Sequence, residues 1–206
     1  MAEPITPKAD PVSVTSAPRR RVRAVLLSLI LLLSVGCDQG TKWWAETSLD
    51  RSRTISMAGD TFRLQYAENP GAFLGLGSTL SDEARFWLLT AVNAVFLVVI
   101  GGILIFHWHM RPAQFIALGL LLSGGIGNLI DRITQNGLVT DFLNVGIGPY
   151  QIGAFSLGPI HFAPFEFGLR TGIFNVADMA IMAGAGLLFW LSFQTEPTHE
   201  TPAGCE

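Results

Sequence analysis

Charge is scarce in this sequence. Only 14% of its 206 residues are Asp, Glu, Lys or Arg, against about 25% in an average soluble domain. Half of the residues are hydrophobic and the mean hydropathy is positive, a balance that points to a membrane protein. Cysteine is nearly absent. Cys37 and Cys205 lie far apart, which excludes a disulfide framework and a zinc-type ligand spacing. A net charge of −3 with no basic patch interleaved with aromatics excludes a nucleic-acid partner. No internal repeat is visible, and the length suits one compact domain.

Long apolar runs fill the chain instead. Residues 1–18 carry four prolines and little that could pack. Arg19, Arg20, Arg21 and Arg23 follow, and residues 1–23 read as a disordered basic leader. The run AVLLSLILLLSVGC has 14 residues, short for a span of about 20. Continuing through DQGTKWWA gives a first span of about 24–45, with Trp43 and Trp44 at the interface. Further spans are expected over 86–106, 113–131 and 173–193, before a polar tail at 194–206. The expected fold is an all-α membrane domain over 24–193: four transmembrane helices, a small extracytoplasmic β-cradle or hairpin, and an interfacial flap.

Four spans place both termini on one side. Lys and Arg do not favour either side by count: five precede the first span and five lie in the loop from 40 to 85. The arginine block abuts the first helix, which places the termini in the cytoplasm. The stretch RTISMAGDTFRLQYAEN, with Gly59-Asp60 as its turn, predicts a surface β-hairpin within 51–78. Segment 142–172, rich in Gly, Phe and Pro, is too irregular to span and is expected to rest at the interface as a flap.

Polar residues then gather where a membrane protein should have few. DQGTK (38–42), ENPGAFLGLG (68–77), GGIGNLIDR (124–132), VTDF (139–142) and FNVAD (174–178) all fall at the outer ends of the spans. Asp38 and Lys42, at i and i+4, read as a helix-end ion pair. Asn128 faces both Asp131 and Arg132, at i+3 and i+4, and the three read as a polar network closing the helix end, with Asp131 and Arg132 partly neutralising each other. Gly124, Gly125 and Gly127 allow close approach of a neighbouring helix or a substrate. Asn69-Pro70-Gly71 reads as a turn whose asparagine could donate to a substrate carbonyl.

Asp141 and Asp178 differ from the other acids. Neither has a basic residue within four positions, and both border an apolar run. An acid at membrane depth costs at least ~2.5 kcal/mol, so a span opening on Asp178 needs a reason. Two such carboxylates at one interface would raise each other's pKa until they share a proton. One could then take a proton from water while the other donates to a carbonyl oxygen, the arrangement of an aspartic peptidase. The competing reading is a pair of solvated loop acids.

The ordered set of five motifs on four spans resembles the bacterial lipoprotein signal peptidases, also called signal peptidase II or prolipoprotein signal peptidase, aspartic peptidase family A8. The likeness covers roughly residues 24–193. It implies an integral enzyme of the inner membrane that cleaves signal peptides just before a diacylglyceryl-modified cysteine, with its site near the outer leaflet. The family's catalytic pair falls on Asp141 and Asp178. Asp38, Asn69, Asn128, Asp131, Arg132 and Asn175 match positions that line or brace the site, and Lys42 and Gly71 lie in the same motifs. The resemblance further implies diacylglyceryl-prolipoprotein substrates, contact with membrane lipid, inhibition by globomycin-type cyclic peptides, and no metal or organic cofactor. A monomer is expected, since one chain carries both aspartates. The link between the two aspartates looks longer than is usual in the family.

Three other readings account for less of the chain. RRRVRAVLLSLILLLSVGCDQ is like a type II signal sequence ending at Cys37, but that leaves three spans and the polar clusters unexplained; Cys37 is expected to be a buried helix residue. A small transporter or channel would carry its acids near mid-span rather than at span ends. A presenilin-like protease lacks its GxGD motif here. His107 and His109 read as interfacial anchors, His161 as a surface residue, and the Trp43-Trp44 pair as part of an interface belt.

Overall fold

The structure is a computed structural model and describes residues 17–71, 80–107 and 109–194. Most of the expected leader, the end of the second motif (72–77) and the tail from 195 lie outside the described residues.

Four helices form the body: α1 (Ala17–Ser48), α2 (Asp82–Phe106), α3 (Pro112–Thr134) and α4 (Val176–Ser192). The first three contain stretches long and apolar enough to cross a membrane, whereas α4 is an apolar helix of 17 residues. Their starts follow from local chemistry. Ser81 caps α2 by accepting from the Ala84 N–H at 3.3 Å, with Asp82 and Glu83 in the positive first turn. Pro112 opens α3, where a missing N–H costs nothing. The helix α1 already runs through the arginine block expected to belong to the leader.

The helix α3 is the central element, packed against α1, α2 and α4. Glycines on both helices set the spacing between α3 and α4. A Cβ at Gly124 would lie 2.4 Å from the Ala177 carbonyl oxygen, and one at Gly184 would lie 2.6 Å from that of Ala117. Ile100, Leu104, Phe115 and Leu121 make the apolar core of the bundle. Val92, Val95, Val98 and Val99 on α2 and Phe189 and Trp190 on α4 remain outward and exposed, as expected of a body surrounded by lipid. Cys37 is exposed as well, not buried as expected; it sits on the outer face of α1, away from the face that carries Asp38 and Lys42.

At one end of the bundle sits an antiparallel sheet of β1 (Ile55–Met57), β2 (Phe62–Asn69), β3 (Val139–Ile152) and β6 (Phe165–Arg170), in the order β1-β2-β3-β6. A separate pair, β4 (Phe155–Leu157) and β5 (Ile160–Phe162), forms a hairpin beyond it. The β1–β2 turn passes through Ala58, Gly59 and Asp60, all with positive φ. Segment 142–172 is therefore strand and hairpin rather than irregular chain. A bulge between Ile147 and Tyr150 absorbs Gly148, at φ 92°, and Pro149, and it hides the alternation.

The start of α4 also departs from expectation. Phe174 stays extended and exchanges two backbone hydrogen bonds of 2.8 Å with Leu143, so the helix starts at Val176 and not near Ile173. That exchange ties α4 directly to β3.

Candidate active site

Asn175 is the residue before the first helical turn of α4, and Asp178 is the third residue of that turn. The two form a capping box. The Asn175 side-chain oxygen accepts from the Asp178 N–H at 2.9 Å, and Asp178 Oδ2 accepts from the Asn175 N–H at 3.2 Å. A carboxylate opens this apolar helix because it satisfies a backbone donor at the positive end of the helix dipole. Its other oxygen, Oδ1, accepts from Asn128 Nδ2 at 2.9 Å.

Asp141 sits on β3 opposite Ala67 of β2 and is 2% exposed. Asn175 Nδ2 donates to its Oδ1 at 2.6 Å, and Asn69 Nδ2 donates to its Oδ2 at 2.9 Å. One residue, Asn175, thus contacts both aspartates, through its side chain on one and its backbone on the other. Asn69 is oriented in turn by the Gly71 N–H, which donates to its side-chain oxygen at 2.8 Å. Gly71 has φ 83°, and a Cβ there would lie 2.2 Å from Leu89 Cδ1, so glycine is required at this turn. Burial pushes the Asp141 carboxyl up to about 6, helped by the negative charge of Asp178; the Asn69 and Asn175 donors and the Lys42 charge oppose it.

Beneath the pair lies an ionic brace. Lys42 Nζ is 2.8 Å from Asp38 Oδ2 and 2.8 Å from Asp131 Oδ2, and all three side chains are almost wholly buried. It also donates to Asn128 Oδ1 at 3.1 Å. Asp38 Oδ1 accepts from the Ala177 N–H of α4 at 2.8 Å, while Asp131 Oδ2 accepts from the Thr140 N–H of β3 at 3.1 Å. The brace therefore holds the helix that carries one aspartate and the strand that carries the other. Lys42 and Asn175 both donate to Asn128 Oδ1, which turns the Asn128 amide nitrogen towards Asp178.

The expected Asp131–Arg132 pairing is not what forms. Among the described residues Asp131 pairs with Lys42, because Arg132, one residue on, points about 100° away around the helix. Arg132 Nη1 reaches the Asn128 carbonyl oxygen at 3.4 Å, and among the described residues its buried Nε has no hydrogen-bond partner. Arg132 lines a cavity of about 310 Å³ with Leu89, Val92, Phe96, Asn128 and Ile181, between α2, α3 and α4. Two participants escaped the sequence reading. Gln39 donates to Asp131 Oδ1 at 2.9 Å, and the Thr140 hydroxyl donates to Glu46 at 2.7 Å. Gln39 stands inside DQGTK and Thr140 inside VTDF, so membership of those motifs was the available signal. His107 and His109 lie at the α2–α3 turn, the opposite end of α3 from Asp131. Among the described residues no cluster of His, Cys, Asp or Glu is arranged to hold a metal ion.

Apolar helices around a buried Asp141 and a half-buried Asp178, joined through one asparagine, define a multi-pass membrane protein with a carboxylate-pair site at one end of its bundle. Comparison with known proteins specifies it further. Residues 30–194 match the family described as signal peptidase (SPase) II, and the chain belongs to that family: it is an aspartic peptidase of the bacterial membrane. A lipoprotein signal peptidase from Hydrogenovibrio crunogenus is 33% identical over 184 residues, covering 87% of this chain and 92% of that protein. One from Geobacillus thermodenitrificans is 31% identical over 170 residues, covering 81% and 89%. A solved bacterial membrane enzyme shares the fold with a TM-score of 0.62 at 20% identity, over 83% of this chain and 94% of that one.

Proposed function

We propose that the chain removes signal peptides from diacylglyceryl-modified prolipoproteins by hydrolysing the peptide bond before the lipidated cysteine, with Asp141 and Asp178 as the catalytic pair. The observation that carries this reading is Asn175, bonded to both carboxylates at the first turn of α4. Its geometry supports two acids acting on one water. Burial raises the Asp141 carboxyl to about 6, which suits it to carry a proton into the reaction. Asp178 then accepts a proton from the attacking water, and Asp141 donates to the carbonyl oxygen as the tetrahedral intermediate forms. As the C–N bond breaks, Asp178 gives its proton to the leaving amine and a hydroxyl of the intermediate returns one to Asp141, which restores the resting pair. Asn69, Asn128 and Asn175 keep the carboxylates in register; Asp38, Lys42 and Asp131 hold their backbones; Arg132 faces the cavity that would take the substrate. The placement suits a lipid-anchored substrate, since the reacting atoms lie where apolar helices give way to a sheet. The arginines at the start of α1 favour cytoplasmic termini in the inner membrane, with the pair at the outer surface, and a monomer suffices.

The test is cleavage of a diacylglyceryl-modified prolipoprotein by wild type, Asp141→Asn and Asp178→Asn, with an unmodified-cysteine substrate alongside. Both variants should remain folded, bind a globomycin-type peptide and lose cleavage. Near wild-type cutting by either variant would remove that aspartate from the mechanism. Equal cutting of the unmodified substrate would remove the lipid from its specificity.

A further inference from the structure

Between Gly146 and Arg170 the chain leaves the body of the protein. The last ties are the Gly146 N–H to the Thr61 carbonyl oxygen at 2.8 Å and Arg170 to Asn144 and Asp60 at 2.9 and 2.8 Å. From Tyr150 to Leu169 every residue is exposed.

Register sorts this ribbon into two faces. Directly paired residues of an antiparallel ladder share a face. Ile147 pairs with Leu169, Tyr150 with Phe167, and Ile152 with Phe165, so these apolar side chains stand together. Gln151 pairs with Glu166 on the other face, where Arg170 also lies opposite Gly146. The tip repeats the pattern. Phe155 stacks on Phe162 with ring centroids 4.6 Å apart, and Leu157 pairs with Ile160. Ser156 and His161 face the other way, joined at 2.7 Å. Ribbon and tip each carry an apolar face without a charge, and Glu166, Arg170 and His161 all fall on polar faces.

A two-stranded ribbon is marginal in water on its own, and a bare apolar face of this kind is an aggregation site there. Its root joins α4 through residues 171–175, at the end of a bundle whose outward side chains are themselves apolar. We propose that the ribbon and its tip form a lipid-binding surface, lying on the bilayer beside the aspartate pair with their apolar faces among the acyl chains and their polar faces in water. Lipid fits better than a protein partner because the ribbon is rooted at the end of a bundle whose outward side chains are apolar, and its apolar face offers no charge, and no polar group but the Tyr150 hydroxyl, to fix a register.

The test uses full-length protein with Cys37 and Cys205 replaced by serine, reconstituted in phosphatidylethanolamine–phosphatidylglycerol vesicles. Single cysteines at Phe167→Cys and Leu157→Cys report the apolar faces, and Gln151→Cys and Ser156→Cys the polar ones, each carrying an environment-sensitive fluorophore. Monodisperse elution and helical circular dichroism establish folding independently of peptidase activity. The expected result is blue-shifted emission at 167 and 157 and loss of most of that signal to spin-labelled lipid, with little change at 151 and 156. Equal quenching on both faces, or none, would overturn the proposal. So would shielding of 167 and 157 that vanishes when the protein is diluted in lipid, which would instead show a second copy covering the ribbon.

Discussion

Two ion clusters in this molecule use the same kinds of side chain in opposite proportions. At the candidate active site one cation, Lys42, lies between two acids, Asp38 and Asp131, each at 2.8 Å and nearly sealed from solvent. At the root of the sheet one acid, Asp60, lies between two cations, Arg63 and Arg170, which give it three hydrogen bonds, and takes a fourth from Ser56 at 2.6 Å. Asp60 is still reached by water, and its carboxyl is held well below the usual range, first by Arg63 and then by Ser56. Water answers any imbalance there. The buried cluster has no such recourse, and its surplus negative charge is met by individual donors: the Ala177 and Thr140 N–H groups and the Gln39 amide. Backbone amides of two different elements serve where a second cation would otherwise be needed, and in doing so they couple charge balance to the placement of the aspartate pair.

The largest effect is expected of Lys42→Met in the buried cluster. Leaving two buried carboxylates without their cation should cost about 3–5 kcal/mol, read as a large fall in the thermal midpoint in detergent. Combining it with Asp38→Asn should recover part of the loss; no recovery would mean that packing of the lysine stem, and not charge, dominates.

Asp141→Asn makes the cost of burying a carboxyl visible through pH. Asp141 is raised from 3.8 to about 6 in the folded protein, so between those values the folded state keeps a proton that the unfolded chain has lost. Wild type is therefore favoured at the acid end and loses stability as pH rises through this window. A shift of about two units corresponds to on the order of 3 kcal/mol. The asparagine variant should gain on wild type by up to that amount between pH 4 and 7. A pH-independent difference in midpoint would contradict the raised carboxyl.

Gly127→Ala probes the fit of the brace to α3. Its Cβ would lie 2.5 Å from Asp38 Oδ2, and overpacking of this kind typically costs about 1–3 kcal/mol. The loss should appear together with reduced cleavage, because Asp38 holds the start of α4. Asp60→Asn should give the smallest effect, a modest fall in midpoint that shrinks further at high salt. A fall as large as that of Lys42→Met would erase the distinction between the two clusters.

The helices were legible because runs such as Phe86 to Phe106 contain no charge at all. The acid pair was legible because Asp141 and Asp178 lack basic neighbours in sequence, and Asn175 with Asp178 has the spacing of a capping box. The partner of Asp131 was not. Sequence offers adjacent Arg132, whereas the helix turns that side chain away and Lys42 arrives from a different helix. The β-ribbon was obscured by Gly148 and Pro149, whose bulge interrupts the alternation in β3. In β6 the alternation FEFGLR is plain once the strand is known. The burial of Cys37 was misjudged because an apolar run has no polar face to show which side meets lipid.

Asn175 has a consequence in time as well as in space. The same amide that closes the first turn of α4 holds Asp141, so that turn cannot fray while the two carboxylates stay aligned. Helix ends ordinarily open and close far more often than a protein unfolds, and here each such opening would disassemble the site for its duration. The backbone amide hydrogen of Asp178 should consequently exchange with solvent in proportion to the time the aspartate pair spends apart, making one proton a gauge of the integrity of the whole arrangement.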